Sequence, residues 1–345
     1  MRRFRKATIK EVAQQAGVSV TTVSLFVGGR ESVCSPETAE RIRRAVEALN
    51  YTPSSLVSSV QRRATRTFGV CMLSPLDPEL DFGGHFYEQL WRGIVAEADA
   101  IDYSLLHFPA SVRCGASTDA FLDGRVDGVL YHANTHSDPN QRPTRLASAG
   151  LPTVLLTRSQ ELPEGCGTVY TDEATTAALA LEHLWELGHR RIGHLAGPRA
   201  SGDDGIVGEI GLGRLRGYRQ WLQAHDAYDP ALEGFNGSWQ DRCVAELLQH
   251  WSTQPSRPTA LFCANDTLAL AALAHARALG WPLSVVGVDN AHASAGLTSV
   301  DPGGEAIGRE SVRSLLRLIE GAPVAQCRVA VPALQLHIRA STAPV

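Results

Sequence analysis

The chain has 345 residues, 44% hydrophobic and 20% charged, with 32 Lys+Arg against 36 Asp+Glu. No stretch approaches the ~18 consecutive apolar residues of a membrane span, and no apolar run of signal-peptide type stands near its start, so a membrane or exported protein is not expected. Seven cysteines (Cys34, Cys71, Cys114, Cys166, Cys243, Cys263, Cys327) contain no CxxC pair, which points to reduced thiols in a cytoplasmic protein rather than to a disulfide frame or a zinc site.

Residues 8–50 read as three short helices. Thr8 with Glu11 three residues later is a capping box, and Ile9, Val12, Ala13 and Ala16 recur at helical spacing behind it. Gly17 allows the positive φ of a sharp inter-helix turn, and Ser19 is placed to cap a second helix over Val20–Val27, stopped by Gly28-Gly29. Ser35-Pro36 opens the third helix, with Ala39, Ile42, Ala45, Val46 and Leu49 as its apolar stripe. Two helices joined by such a turn are a way to present one of them to the major groove of DNA, though a small helical bundle has the same pattern. Charge favours DNA. Met1 to Arg66 holds twelve Lys+Arg and five Asp+Glu, a net of +7, which leaves 20 basic and 31 acidic residues downstream, a net of −11.

The segments TIKEVAQQAGVSVTTVS, SPET and ALNYTP resemble the N-terminus of the lactose-repressor/galactose-repressor (LacI/GalR) family of bacterial transcription regulators, and the similarity runs on over nearly all of the chain. The resemblance implies that the helix Val20–Val27 enters the major groove, with Val20, Thr21 and Leu25 at base edges. Ser19, Thr22 and Ser24 then meet phosphate, and Thr8 and Ser35 join the DNA-binding set. Leu25 stands where the family usually has a polar residue, often Arg. An apolar Val20/Leu25 pair forms no bidentate hydrogen bond to a base but does fit a thymine methyl. Residues 53–66 read as a hinge: Pro53 stops the preceding helix, and the run that follows is too short to hold a helix alone. By resemblance this hinge pairs with that of a dimer mate and wedges the minor groove at Val60, with Val57, where the family usually has Ala, also in the DNA-binding set.

Beyond residue 67 short apolar runs alternate with helical patterns: 68–73, a helix around Phe86–Ala100, then 104–108, 126–132 and 153–157. A helix at Thr175–Leu187 precedes 191–197, and 259–266 and 284–290 follow. Such alternation implies parallel sheets covered on both faces, with ligands at the carboxyl ends of the strands. The expected fold is thus an all-α helix-turn-helix head with a hinge, followed by a two-lobed α/β body like the periplasmic sugar-binding proteins, crossed three times by the chain. The expected domains are 1–52 (head), 53–66 (hinge) and 67–345 (body). Lobe one takes about 67–168 and 300–325, and lobe two about 169–299 and 326–340.

The resemblance implies an effector site containing Arg214, Trp239, Asn265 and Asp289, with Asp172 either lining the cleft or capping its helix. Asp266 reads first as a cap for the helix Thr267–Leu279. The stretches 280–284 and 290–297 are shorter than usual in the family, and the loop 198–214 is longer, so the cleft wall is altered at both ends. His132 and His136 have HxxxH spacing in a polar loop, where they read as solvent-facing rather than as metal ligands. No GxSxG, HExxH or Walker A motif occurs, and neither an enzyme nor a cofactor is expected. The expected partners are a double-stranded DNA operator, a small polar effector such as a sugar, and a second copy of the chain. The alternative is a periplasmic-type solute-binding protein with a non-regulatory head.

Overall fold

The computed structural model describes residues 7–52, 64–72, 84–108, 117–132, 141–159, 162–197, 209–235 and 243–345. The chain divides into two compact units, Met1–Arg66 and Thr67–Val345.

In the first unit, α1 (Ile9–Ala16), α2 (Val20–Val27) and α3 (Pro36–Ala48) enclose a small core of Val12, Val23, Phe26 and Ile42. Each helix begins as its sequence requires. The Thr8 hydroxyl accepts from the Glu11 N–H while the Glu11 carboxylate takes the Thr8 N–H at 2.7 Å, and Ser19 and Ser35 accept from Thr22 N–H and Thr38 N–H at 3.0 and 3.3 Å. Gly17 ends α1 at φ 64°, a left-handed conformation that glycine adopts without Cβ conflict.

The second unit carries two six-stranded sheets. Its elements in chain order are β1 (Thr67–Cys71), α4 (Gly84–Ala100), β2 (Ser104–His107), α5 (Asp119–Leu122), β3 (Gly128–Tyr131), α6 (Gln141–Ser148), β4 (Thr153–Leu156) and β5 (Gly167–Asp172). There follow α7 (Glu173–Glu186), β6 (Ile192–Ala196), α8 (Glu209–Ala224), β7 (Glu233–Phe235), α9 (Val244–Ser252), β8 (Ala260–Cys263), α10 (Asp266–Ala278), β9 (Ser284–Val288) and β10 (Thr298–Asp301). The chain ends with α11 (Gly304–Ile319), β11 (Arg328–Pro332) and β12 (Gln335–His337).

The first sheet has the order β11-β5-β4-β3-β1-β2 and the second β12-β10-β9-β8-β6-β7. Every pairing is parallel except β10 with β12. Parallel strands need cover on both faces, and each sheet has two apolar clusters. One cluster of the first sheet contains Phe68, Leu90, Ile94 and Leu315, the other Phe108, Phe121 and Leu146. The second sheet has Leu181, Tyr218 and Phe262 in one cluster and Leu248, Trp251 and Leu268 in the other.

In the first lobe α4 and α11 pack backbone to backbone. A β-carbon at Gly93 would run into the Glu305 carbonyl, and one at Gly308 into the Leu90 carbonyl. Glu97 takes a two-pronged pair from Arg313 at 2.8 and 2.9 Å beside this crossing.

The chain passes between sheets three times: after β5, after β10, and between β11 and β12. This corrects the lobe limits expected from sequence. All of β5 lies in the first sheet, so that lobe runs to about residue 172 instead of 168. The strand β11 also joins the first sheet, beside β5, instead of lobe two, while β10 at 298–301 completes its strand in the second sheet. The two short strands in 326–340 go to different sheets, β11 to the first and β12 to the second.

Candidate functional site

In the head, the polar residues expected at DNA sit at helix starts. Thr8, Ser19 and Ser35 are the N-caps of α1, α2 and α3, and all three are exposed. The Ser19 hydroxyl also lies 2.8 Å from that of Thr22. Unbonded N–H groups at such ends, with the helix dipole behind them, suit phosphate oxygens. On α2, Val20 is 41% exposed although apolar. Thr21 is exposed, and Thr22, Ser24 and Leu25 are half-buried, while Val23 and Phe26 face the core. The outer face of this helix thus presents valine, threonine and leucine without a charged group. Arg43 stacks its guanidinium over the Phe26 ring at 5.4 Å, covering that core from outside. Val57 and Val60 lie outside the described residues, as does most of the expected hinge.

In the body, residues far apart in sequence meet at the carboxyl ends of the strands. Arg214, in the second turn of α8 rather than at its start, is 3% exposed. Its Nε donates to Glu173 Oε2 at 2.8 Å, its Nη2 reaches Glu173 Oε1 at 3.5 Å, and its Nη1 donates to the Ala264 carbonyl. The same Nη1 stands 4.0 Å from Asp289 Oδ1. Burial works against the charge on Arg214, but the carboxylates of Glu173 and Asp289 outweigh it and hold the proton more firmly.

Asp289 follows β9 at φ 107°, a conformation that side-chain-bearing residues rarely adopt, and is 8% exposed. Burial pushes its carboxyl up to about 8 against the pull of Arg214, with the charges of Asp266, Glu173 and Asp301 adding to the rise. Glu173 is likewise raised by burial, opposed by Arg214.

Asp266 does not cap its helix. The cap of α10 is Asn265, whose Oδ1 accepts from Leu268 N–H at 2.8 Å. Asp266 is instead the first helical residue, and its carboxylate takes the Ala291 N–H at 2.7 Å and the Ser299 hydroxyl at 2.6 Å. It fits there because Gly287 has no side chain; a β-carbon on that residue would collide with Asp266 Oδ1. The turn bearing Asp289 is thereby tied to α10. Asp172 caps α7, accepting from Ala174 and Thr175 N–H, and also lines a cavity of about 200 Å³ with Glu173, Thr157, Tyr170 and Arg216.

The first lobe adds Tyr87, which nothing in the sequence marked, and His132, expected to face solvent. Tyr87, in the first turn of α4, has its hydroxyl 3.2 Å from His132 Nε2, and the rings meet edge to face at 5.4 Å. Burial raises the Tyr87 phenol, and the charge of Asp289 across the cleft adds to it. His132, read from sequence as solvent-facing, is thus half-buried against Tyr87. Trp239 and His136 lie outside the described residues. Among the described residues, no group of His, Cys, Asp and Glu forms a metal site, and no helix is long and apolar enough to cross a membrane.

Residues 8–54 match the bacterial regulatory proteins of the lacI family, and residues 181–342 match a periplasmic binding protein-like domain. The HTH-type transcriptional regulator CelR of Thermobifida fusca is 33% identical over 335 residues, covering 93% of this chain and 94% of that protein. The chain belongs to the LacI family. Among solved structures, the transcriptional regulator CelR–cellobiose complex is 31% identical with a TM-score of 0.66, over 97% of this chain and 100% of that one. The lac repressor dimer bound to operator and the anti-inducer ONPF has the same fold, with a TM-score of 0.78 at 24% identity, over 98% and 100%. As a LacI-family member this chain is a DNA-binding transcription regulator and not an enzyme.

Proposed function

We propose that this LacI-family regulator is a repressor acting in the cytoplasm. It binds a pseudo-palindromic double-stranded DNA operator as a homodimer and answers to a small polar effector, sugar or sugar-like, in the cleft between its lobes. The observation that carries the DNA half is α2, capped by Ser19 and exposing Val20 and Thr21 on a unit with a net charge of +7. In this reading Val20, Thr21 and Leu25 meet base edges, while Thr8, Ser19, Thr22, Ser24 and Ser35 meet the backbone. Arg214, Asn265, Asp289 and Asp172 belong to the effector half, which draws support from their convergence at strand ends and from the cellobiose of the CelR complex.

Anisotropy of a labelled palindromic fragment from upstream of the protein's own gene tests this. Binding is expected to weaken steeply with salt, as phosphate contacts require, and to require two protein chains per site. Binding by a single chain, or no salt-sensitive binding, would reject it.

A further inference from the structure

The face that α2 turns to solvent is apolar apart from hydroxyls. Val20 and Thr21 are exposed and Leu25 is half-buried, while Val23 and Phe26 fill the core behind them. No residue of the helix, VTTVSLFV, is ionisable, and its polar side chains are all hydroxyls, which either donate or accept. The guanidiniums of α3 are engaged within that helix: Arg44 and Arg43 reach Glu40 at 3.0 and 3.5 Å, and Arg41 donates to the Thr38 hydroxyl at 3.3 Å. The unit as a whole, Met1 to Arg66, has a net charge of +7, which suits phosphate as its partner and not an apolar protein surface.

In the major groove the apolar group on a base edge is the C5 methyl of thymine. A cytosine methylated at C5 presents the same methyl at the same ring position. Beside it, cytosine offers an amino donor where thymine offers a carbonyl acceptor. A carboxylate, which only accepts, or a guanidinium, which only donates, would tell those two bases apart. Val20 and Leu25 do neither, and the Thr21 hydroxyl answers a donor or an acceptor alike. The two apolar residues stand about 7.5 Å apart along the helix axis, so each meets a different base position.

We propose that α2 reads the C5 methyl of a pyrimidine whichever base carries it, so that 5-methylcytosine takes the place of thymine in the operator and C5 methylation of cytosine there strengthens binding. This rests on the reading of α2 as the helix that enters the major groove. The regulator then answers to the methylation state of its operator as well as to an effector. Unmethylated cytosine leaves the apolar side chain opposite it without an apolar partner. Burial of one methyl is worth about 4-fold in affinity, and of the same methyl in both half-sites about 15-fold.

Anisotropy with the full chain tests this on the labelled palindromic fragment from upstream of the protein's own gene. Each pyrimidine of the half-site is made in turn, in both half-sites together, thymine, uracil, 5-methylcytosine or cytosine, with the matching purine opposite. Thymine against uracil and 5-methylcytosine against cytosine then differ by the methyl alone. At one or two positions, loss of the methyl is expected to raise Kd by about 10-fold or more in both comparisons. Val20→Ala or Leu25→Ala is expected to cut the change at its own position to about 2-fold or less. Val20 is exposed, so its substitution keeps the test independent of folding. Binding indifferent to the methyl at every position, or to the methyl of cytosine alone, overturns the proposal but leaves the DNA reading standing. A methyl effect that survives both substitutions overturns the assignment to Val20 and Leu25. Absence of salt-sensitive binding to every version overturns the DNA reading itself.

Discussion

The head and the cleft are built in opposite ways. In the head, each polar group that shapes the site is answered by a neighbour three residues away: Thr8 by Glu11, Ser19 by Thr22, Ser35 by Thr38. These groups are exposed, individually worth little, and replaceable one at a time. In the cleft, Glu173, Arg214, Asp266 and Asp289 come from four different elements, are largely buried, and depend on each other for charge and hydrogen bonding. A local site gives up binding in small steps, whereas a buried network fails as a unit.

The largest expected effect breaks the network. Arg214→Ala leaves Glu173 and Asp289 buried without their cation and should cost about 3–5 kcal/mol of body stability in a denaturant titration. The transition of the head should not move. A loss below ~1 kcal/mol would show that the network is not the unit described. Acid sharpens the comparison next. His194 lies in the second lobe between Tyr218 and Phe262, and its Nδ1–H donates to the Phe262 carbonyl at 2.8 Å. Burial pushes its pKa down to about 4. The unfolded chain takes up a proton near its ordinary value of about 6.5 that the folded chain refuses, so stability is lost as pH falls from about 6.5 toward 4. The loss should approach on the order of 3 kcal/mol, and burial acts in the same direction on His183 and His189. Glu173 and Asp289, both raised by burial, act in the opposite direction over the same range. The test is therefore the difference in melting temperature between the wild type and His194→Gln; a difference that does not change between pH 6.5 and about 4 would contradict it.

The head should respond in smaller steps. Leu25→Arg supplies a bidentate donor to the reading face and should add a guanine preference of about 1–3 kcal/mol, read by competition between operators differing at one base pair. Ser19→Ala removes one cap and should cost about 1 kcal/mol in head stability, with the body unchanged. A larger loss would mean that Ser19 also anchors contacts beyond its own helix.

The same contrast explains what was legible in the sequence. The three helices of the head, their caps at Thr8, Ser19 and Ser35, and the turn at Gly17 were readable because each signal lies within one helical turn of its target. Seven strands of the body were readable as apolar runs, whereas β5, β7, β10, β11 and β12, short or at or near sheet edges, were not. Which sheet β5 and β11 join was not, since edge pairing is decided by partners up to about 160 residues distant (Arg328 beside Thr168). Resemblance named Arg214 and Asp289, but neither spacing nor composition connects Arg214 to Glu173, 41 residues away. Asp266 beside Asn265 looked like the better cap because both residue types cap helices; the choice turned on Gly287 and Ser299, which sequence order does not bring near. Tyr87 and His132 were hidden for the same reason, as a tyrosine on one helix and a histidine 45 residues on become a pair only once the first lobe has folded.

In the proposed reading α2 meets DNA through an apolar face. Selection of binding sites from a randomised duplex library by the full chain tests it most directly. The expected product is a pseudo-palindrome whose half-site positions facing Val20 and Leu25 are thymine-rich and tolerate loss of every guanine. Recovery of an indispensable guanine opposite Leu25, or of no preferred sequence at all, would contradict it.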